Sequence, residues 1–346
     1  MDMELKIYSR FNLLPEFEKI RDSIPIFATQ QYADYLKENK NSNTIWFAGF
    51  NSYGLEYILP FAIMQRGPFK KGTFLTATIS LGQNDMIKYE KKFLNKIIEY
   101  IKLNSLCDWI QQGPNWAIFK TFPDNALYAP FGTYRIDLQD KTEEELFKNI
   151  SRRTRQDINK AIRENVVINK DKTSFEDSIE LISETLKKAN ISPFTRDNFD
   201  MIYKHFKKNL WNYTAYYDNV AQTSCIFFYN PYSTYAMYAG SKNRPIRGAT
   251  SLLHWEAIKE SKKKNIKYYD FVGALLNPVK DSKPYRIQMF KSHFRPELIE
   301  GFLWKMIIDK RKYLIFLLYT KIKNTLKGKK YKRDFIDQEM KKRAKN

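Results

Sequence analysis

The chain has 346 residues, of which 43% are apolar and 28% charged, and it carries 25 Phe, 23 Tyr and 6 Trp. This length and aromatic content exclude both a small disulfide-stapled scaffold and a disordered chain, and they predict about two domains. The 59 Lys and Arg outnumber the 38 Asp and Glu and give a net charge of +21, so we expect an anionic partner.

In the first half of the chain, the pattern of apolar residues and of Gly, Asn and Pro breaks predicts short helices followed by three strands, a long helix and a further strand. The helix has apolar residues at helical spacing, as at Phe93, Ile97 and Ile101. The predicted elements are helices near 15–21 and 29–38, strands at 44–50, 55–65 and 73–81, a helix at 86–103 and a strand at 108–112.

The second half repeats this order. A strand at 128–138 opens it, followed by a basic helix; the remaining predicted elements are a strand at 166–170, helices at 174–189 and 195–210, strands at 213–218, 221–228 and 234–240, a helix at 249–264 and a strand at 267–273. The β-β-β-α-β order therefore occurs twice, which predicts an α/β protein built from two similar units with mixed sheets. We place the domains at 1–127 and 128–309, followed by a tail at 310–346.

The basic helix that begins the second half carries three arginines in four positions, Arg152, Arg153 and Arg155. Thr142 and the three glutamates after it have the spacing of a capping box, which predicts where the helix starts. Arginines so closely spaced suit bidentate contact with phosphates, whereas a solvated charged face is the alternative interpretation.

The C-terminal tail holds 14 Lys or Arg against three acidic residues, so it carries +11 of the net charge. Its apolar residues Ile315, Leu318, Ile322 and Leu326 recur at helical spacing and predict a basic amphipathic helix. Two interpretations stay open, namely packing of this helix on the preceding domain and docking at an anionic membrane surface. A chain ending near Asp309 is expected to stay folded.

Several classes of site are excluded by the residues present. Cys107 and Cys225 are too few for a disulfide framework, and the three histidines lack metal-ligand spacing, so we expect no metal. No nucleophile elbow or Walker loop occurs, which argues against hydrolases and NTPases. No secretory signal or membrane-length apolar stretch is found, so a cytoplasmic location is expected, with the inner face of the membrane as the alternative.

The doubled β-β-β-α-β order resembles the GNAT-like fold, and the chain over most of 25–305 resembles the Fem family of peptidoglycan aminoacyl transferases. The segments that carry the resemblance are YRIDL, RRTRQDINKAIRENV, TYAMYAGS, GATSLLHWEAIKESKKKNIKYYDFVGA and MFKSHF. The resemblance implies two tandem GNAT-like domains, an aminoacyl-tRNA donor and an amine acceptor on a cell-wall precursor. No counterpart of the coiled-coil arm of some Fem proteins is present.

The family's Phe-Lys pair, implicated in aminoacyl transfer, falls on Phe290 and Lys291, with Phe294 following. The resemblance thus implies that Lys291 is catalytic, and an ammonium beside the reacting carbonyl would stabilise the oxyanion. Two departures occur. Arg295 and Pro296 replace the glycines that the family has after the second Phe, and a single glycine, Gly273, stands where it has Gly-Gly.

Five further residues are candidate substrate ligands. Arg247 and Gly248 precede a long helix at the position where acyl-CoA enzymes of the GNAT class bind pyrophosphate. Asp270 ends a strand where α/β sheets bind ligands, and it could orient an amine acceptor or cap the following loop. Tyr238 resembles a tyrosine that faces the substrate cleft in related enzymes. Arg286 is a phosphate candidate one helical turn before the Phe-Lys pair. His254, by contrast, is expected to be a paired core histidine.

We therefore predict a Fem-like acyltransferase that takes an aminoacyl group from aminoacyl-tRNA, or an acyl group from acyl-CoA, as co-substrate and has no other cofactor. One alternative is a CoA-dependent GNAT N-acyltransferase of surface-polysaccharide synthesis. Another is a non-catalytic GNAT-like protein that binds RNA or anionic membrane. The transferred group, the acceptor and the oligomeric state are not determined by the sequence.

Overall fold

The computed structural model describes residues 3–82, 87–170, 174–326 and 333–343, and its fold is of the α/β class. The strands are β1 Glu4–Tyr8, β2 Ser42–Asn51, β3 Gly54–Arg66, β4 Phe69–Phe74, β5 Ile79–Ser80, β6 Trp109–Ile110, β7 Leu127–Asp137, β8 Val167–Asn169, β9 Leu210–Tyr217, β10 Val220–Tyr229, β11 Ser233–Ser241, β12 Tyr268–Asp270 and β13 Glu297–Ile307. The α-helices are α1 Phe17–Ile20, α2 Gln30–Lys40, α3 Ile87–Leu103, α4 Glu143–Asn149, α5 Arg152–Arg163, α6 Phe175–Lys188, α7 Arg196–Phe206, α8 Ala249–Lys263, α9 Lys283–Ser292, α10 Lys310–Leu326 and α11 Phe335–Arg343.

The chain divides into two compact units. Unit 1 comprises residues 1–132 and 300–346, and unit 2 comprises residues 133–299. Residues 300–346 thus group with the N-terminal half, whereas the sequence placed 300–309 in the second domain and 310–346 in a separate tail. Each unit has its own core, which in unit 1 surrounds Phe61 and Phe93 and in unit 2 surrounds Phe227 and Tyr269.

The sheet of unit 1 has the strand order β1-β2-β3-β4-β6-β13, with the short β5 also pairing with β3. Strands β1 to β4 form an antiparallel meander. The chain then passes through α3, and this helical crossover allows β6 to lie parallel to β4. On its other side β6 pairs antiparallel with β13.

The sheet of unit 2 has the order β7-β12-β11-β10-β9-β8. Strands β8 to β11 form the antiparallel meander, α8 makes the crossover, and β12 lies parallel to β11. Strand β7 pairs antiparallel with β12. The two units therefore share the antiparallel meander, the crossover helix and the parallel strand after it, which confirms the duplication and the mixed sheets predicted from the sequence. They differ in the sixth strand, because β13 follows the other strands of unit 1 along the chain, whereas β7 precedes those of unit 2.

Two predicted elements differ in detail. The strand predicted at 73–81 is divided between β4 and β5. The single basic helix is two helices, since Ile150 ends α4 with extended backbone and Ser151 caps α5 by accepting a bond from the Thr154 N–H. The predicted capping box is present, as Thr142 and Glu145 exchange hydrogen bonds at the start of α4.

The C-terminal helices pack on unit 1. The ring of Phe316 in α10 lies 4.6 Å from that of Trp109 and 5.6 Å from that of Phe69. The Lys312 ammonium is 2.8 Å from the Asp108 carboxylate. In α11, Ile336 is fully buried. Over the described part of the chain, no helix has the length and hydropathy needed to cross a bilayer.

A buried lysine ties α11 to the sheet. Lys305 of β13 is only 3% exposed, and its ammonium lies 2.6 Å from the Asp334 carboxylate and 2.7 Å from that of Asp337. Removing the tail would leave this charge without those partners and uncover Trp109. The expectation that a chain ending near Asp309 stays folded therefore conflicts with the packing, because an unpaired buried charge is strongly destabilising.

We predict that Asp334→Asn with Asp337→Asn lowers the free energy of unfolding by about 3 kcal/mol, because Lys305 then loses both compensating carboxylates. Urea denaturation at neutral pH measures this change. The matched control is Glu339→Gln, which breaks the exposed ion pair between Glu339 and Lys342 on the same helix and should cost less than about 1 kcal/mol. Equal effects of the two changes would contradict the prediction.

Candidate active site

Lys291 lies in the last turn of α9, a helix that begins where the Ser282 hydroxyl accepts a bond from the Tyr285 N–H. Its side chain reaches back to the loop after β12, where the ammonium donates to the carbonyl of Val272 at 2.8 Å and to that of Gly273 at 2.7 Å. A lysine has three N–H donors, so one donor remains beyond these two bonds. Lys291 is thus anchored by backbone carbonyls at one defined position.

Those carbonyls face Lys291 because the backbone turns through a left-handed conformation. Val272 has a φ of +54° and Gly273 a φ of +78°. A β-branched residue in this region carries about 1–3 kcal/mol of strain and persists only where its surroundings hold it. Residues held in strained backbone conformations cluster at functional sites.

Positive φ values occur at the positions where the resemblance to the Fem family leads us to expect glycine. Val272 lies beside Gly273 where the family has Gly-Gly, and Arg295, with a φ of +53°, stands where the family has glycine after the second Phe. Glycine takes this conformation without steric cost. The chain therefore keeps the backbone geometry that glycine favours while using other residues.

A buried network holds the Val272–Gly273 turn from behind. The Asp270 carboxylate accepts a bond from the Thr133 hydroxyl at 2.6 Å and from the Val272 N–H at 2.7 Å. The Thr133 hydroxyl oxygen in turn accepts from the Gly273 N–H at 3.2 Å. Asp270 and Thr133 are 5% exposed each. Asp270 therefore positions the turn that anchors Lys291.

A cluster of aromatic rings lies near the lysine, whose charge acts on His254. The ring of the buried His254 lies 5.4 Å from that of Phe290 and 6.0 Å from that of Phe294, and its Nδ1 is 2.6 Å from the Tyr269 hydroxyl. His254 is thus the paired core histidine that the sequence predicted. Phe290, the residue before Lys291, belongs to this aromatic cluster through its contact with His254.

This apolar surrounding changes the acidity of each group. Burial lowers the pKa of Lys291 to about 8, against the opposing effect of the Asp270 carboxylate. Burial raises the pKa of Asp270, although its hydrogen bonds with Thr133 and Val272 act in the other direction. Burial, together with the Lys291 charge, lowers the pKa of His254 to about 3. A lysine that titrates near neutral pH suits proton-transfer and carbonyl chemistry.

The site lies where two parallel strands stop pairing. Strand β12 pairs with β11 over three residues and ends at Asp270 opposite Tyr235, whereas β11 continues through a bulge at 236–238 to Ser241. Ligands of α/β sheets bind at such carboxyl ends of strands. Tyr238 lies in the part of β11 beyond the pairing, half-buried, with its ring 4.9 Å from that of Phe194.

The structure gives Arg247 and Gly248 packing contacts instead of an open anion site. The Arg247 guanidinium donates to the Asp157 carboxylate at 2.6 Å. Gly248 has a φ of +89°, and a Cβ there would lie 2.0 Å from the carbonyl oxygen of Asp157. Glycine is therefore needed so that α5 and α8 can approach each other closely. The phosphate role predicted for this pair has no geometric support.

The arginines of α5 divide into two groups. Arg155 turns inward and donates to the carbonyls of Lys148 and Ile150, which satisfies the end of α4. Arg152 and Arg153 are exposed. Arg286 is likewise exposed on α9. The predicted phosphate contacts thus remain available at Arg152, Arg153 and Arg286, whereas Arg155 has a structural role.

Among the predicted residues, Phe290, Lys291 and Asp270 come together in one site. Sequence reasoning missed Thr133, because 137 residues separate it from the Asp270 carboxylate that it contacts. It also missed the carbonyls of Val272 and Gly273, because every residue has a backbone carbonyl and the sequence does not mark the ones that bind a side chain. The only signal is Gly273, since glycine favours a positive φ. In the described part of the chain, no group of three His, Cys, Asp or Glu residues could hold a metal ion.

We predict that Thr133→Val costs about 1–3 kcal/mol of unfolding free energy, because the buried Asp270 oxygen and the Gly273 N–H each lose a hydrogen-bond partner. Urea denaturation measures the cost. Thr133→Ser, which keeps the hydroxyl, is the control and should recover most of the stability. A valine variant as stable as the serine variant would rule out the network.

One family model and several solved structures match the chain. Residues 211–316, which include α8, β12 and α9, match the model of the FemAB family. The crystal structure of FemX is 12% identical with a TM-score of 0.64, covering 85% of this chain and 94% of that one. The C-terminal domain of a putative lysylphosphatidylglycerol synthetase from Agrobacterium fabrum is 10% identical with a TM-score of 0.50, covering 86% and 95%.

No curated protein matches the sequence. At these identities the two solved structures establish the fold alone, and the match to the FemAB family is confined to residues 211–316. The matched segment contains Asp270, the Val272–Gly273 turn and Lys291. The resemblance predicted from the sequence is therefore confirmed: the chain carries a FemAB family segment at 211–316, has a fold like that of FemX, and is an enzyme of the acyltransferase class.

Proposed function

We propose that this protein transfers an aminoacyl group from aminoacyl-tRNA to an amine of a cell-envelope precursor. The observation that carries this proposal is the ammonium of Lys291, anchored on the carbonyls of Val272 and Gly273 within the segment that matches the FemAB family. The name of the Agrobacterium neighbour, a putative lysylphosphatidylglycerol synthetase, also refers to an aminoacylated product.

The reaction is the aminolysis of an ester. The acceptor nitrogen attacks the aminoacyl carbonyl and forms a C–N bond, which places a negative charge on the carbonyl oxygen of a tetrahedral intermediate. When the intermediate collapses, the C–O bond to the ribose breaks, and the proton released by the amine ends on the ribose hydroxyl. The activated ester supplies the free energy, so no resident cofactor is required.

The role that we assign to Lys291 is to stabilise that oxyanion. Two of its N–H groups are used by the loop carbonyls, which leaves one donor for the substrate oxygen. A preorganised donor in a site shielded from water contributes about a hundredfold or more to such reactions. The shielding is supported by the burial that lowers the pKa of Lys291 and by the nearby aromatic cluster of Phe290, Phe294 and His254.

Aminoacyl-tRNA is favoured over acyl-CoA as the donor. The position at which an acyl-CoA enzyme would bind pyrophosphate is occupied here by the Arg247–Asp157 ion pair and by the approach of α5 to Gly248. The exposed Arg152 and Arg153, with Lys160 and Arg163 on the same helix, suit a longer polyanion. Arg286 is a further candidate contact for the donor or the acceptor.

The deciding experiment offers the purified protein either aminoacyl-tRNA or acyl-CoA, each with amine acceptors prepared from cell-envelope precursors, and identifies the products by mass spectrometry. We expect an amide whose added mass is that of an amino-acid residue, formed only with aminoacyl-tRNA. Acylation only from acyl-CoA would replace this proposal with the CoA-dependent alternative. No product from either donor would favour a non-catalytic binding protein.

We predict that Lys291→Met lowers kcat/KM by about a hundredfold or more, because the oxyanion loses its donor while the apolar stem is kept. The rate of product formation measures the loss. Lys283→Met, at an exposed lysine on the same helix, is the control and should leave the rate within about twofold of the original.

The pH dependence separates an ammonium from a general base. Because the pKa of Lys291 is about 8, an acting ammonium makes kcat/KM fall as the pH rises through 8, whereas an acting neutral amine makes it rise. In Lys291→Arg the charge persists, so the falling limb should disappear from this range. A wild-type rate that rises through pH 8 without any falling limb would contradict the assigned role.

We predict that Arg152→Glu with Arg153→Glu weakens the binding of aminoacyl-tRNA by about tenfold or more at low salt and flattens the salt dependence, because fewer counterions are released. Fluorescence anisotropy with labelled tRNA measures both effects. Lys187→Glu with Lys188→Glu on α6 is the control for the same change of charge at exposed helical positions. If the two pairs weaken binding equally, α5 has no specific role.

A further inference from the structure

Helix α10 has two apolar faces, and only one of them is covered in the structure. The residues that face unit 1 are half-buried and recur at helical spacing; they are Tyr313, Phe316, Leu317, Thr320 and Asn324. Tyr313 and Phe316 pack against the ring of Trp109. This covered face attaches the helix to unit 1.

The second face lies about half a turn away, given 3.6 residues per turn. Its side chains are exposed large apolar groups: Leu314 at 64%, Ile315 at 58%, Leu318 at 60%, Tyr319 at 55%, Ile322 at 53% and Leu326 at 83%. We call these six residues the outer face of α10. A row of this kind along one helix is unusual for a protein surface, which exposes large apolar residues mostly one at a time.

Basic residues border the outer face on both sides. At 100° per residue, Lys310 and Lys321 lie along one edge, and Lys323 lies along the other. All three are exposed. The sequence adds four further lysines directly after the helix, at 327, 329, 330 and 332, which lie outside the described residues.

We propose that the outer face of α10 docks on the surface of an anionic lipid bilayer. An apolar helical face with lysines along its edges is the arrangement that inserts side chains among the acyl chains while the ammonium groups remain with the lipid headgroups. The charge selects anionic lipids, because juxtamembrane lysines are attracted to a negative leaflet. The helix lies in the plane of the interface.

The same charge argues against a second copy of the chain as the occupant. Pairing two outer faces would bring the lysine edges of both copies together, and like charges at such an interface repel. An anionic bilayer covers the apolar groups and neutralises the edges at once. The two interpretations of the tail from the sequence are therefore both accommodated, because packing uses one face of α10 and docking uses the other.

The inference stands on α10 alone and does not depend on the proposed acyl transfer. A protein that fails as a transferase can still bind vesicles, and an active transferase can fail to bind them, so the two proposals succeed or fail separately. Docking at a membrane would bring the enzyme to acceptors that carry a lipid.

The test is co-sedimentation of the full chain with unilamellar vesicles of phosphatidylcholine, with or without an equal part of phosphatidylglycerol. We expect binding to the mixed vesicles only, weakened by salt, which screens the lysines. Leu318→Gln with Ile322→Gln should reduce the partition coefficient about tenfold or more, because two apolar side chains no longer enter the interface. Lys321→Gln with Lys323→Gln should reduce it severalfold at low salt.

The control is Leu13→Gln with Leu103→Gln, which changes two leucines of similar exposure elsewhere in unit 1. This control should bind as the original chain does, and thermal unfolding verifies that every variant is folded. Equal binding to both kinds of vesicle, or binding unchanged in Leu318→Gln with Ile322→Gln, would overturn the proposal. The proposal would also be overturned if analytical ultracentrifugation without lipid detected a dimer that Leu318→Gln with Ile322→Gln converts to a monomer.

Discussion

The anchoring of one ammonium group by two backbone carbonyls is the interaction on which the candidate site depends. Lys291 donates to the carbonyls of Val272 and Gly273, and both of these residues adopt positive φ. That conformation is strained at Val272 and is retained because Asp270 and Thr133 bind the N–H groups of the turn from behind. The position of the lysine is thus set by a chain of hydrogen bonds that begins in the core of unit 2.

The low polarity of this core has opposite consequences for the two kinds of group in it. It disfavours the charged form of both groups, so the pKa of Lys291 falls and the pKa of Asp270 rises. The attraction between the two charges opposes both shifts, and the hydrogen bonds of Asp270 also oppose the rise of its pKa. A donor held in such surroundings interacts more strongly with a developing oxyanion than it would in water. Stability and proposed catalysis therefore draw on the same buried network.

The basic residues serve several purposes that composition does not separate. Arg155 satisfies helix carbonyls, Arg247 joins α5 to α8, and Lys305 ties α11 to its sheet. Among the basic residues that remain exposed, one group lies on α5 in unit 2 and another on α10 in unit 1. We propose that the first binds the donor and that the second, through its outer face, places the enzyme at a membrane surface.

Much of the architecture could be predicted from the sequence, because its signals are local. The period of apolar residues and the Gly, Asn and Pro breaks indicated most of the helices and strands, and their repeated order indicated the duplicated α/β fold. The break between α4 and α5 was missed, since the Ser151 cap lies inside a continuous basic and apolar pattern. Strand β13 was missed as well; it pairs with β6, which is distant in sequence.

For the candidate site, the sequence by itself predicted Asp270 from its place at a strand end and the arginines of α5 from their spacing. The family resemblance added the Phe290–Lys291 pair. Only the tertiary structure decided which partners these residues have. Thr133 reaches Asp270 across 137 residues, and Gly248 is required by the backbone of α5 instead of by a ligand. Likewise, the spacing of α10 indicated an amphipathic helix, whereas packing decided which of its two apolar faces is covered. Contacts of this kind depend on how distant elements pack, and no local pattern of residues records them.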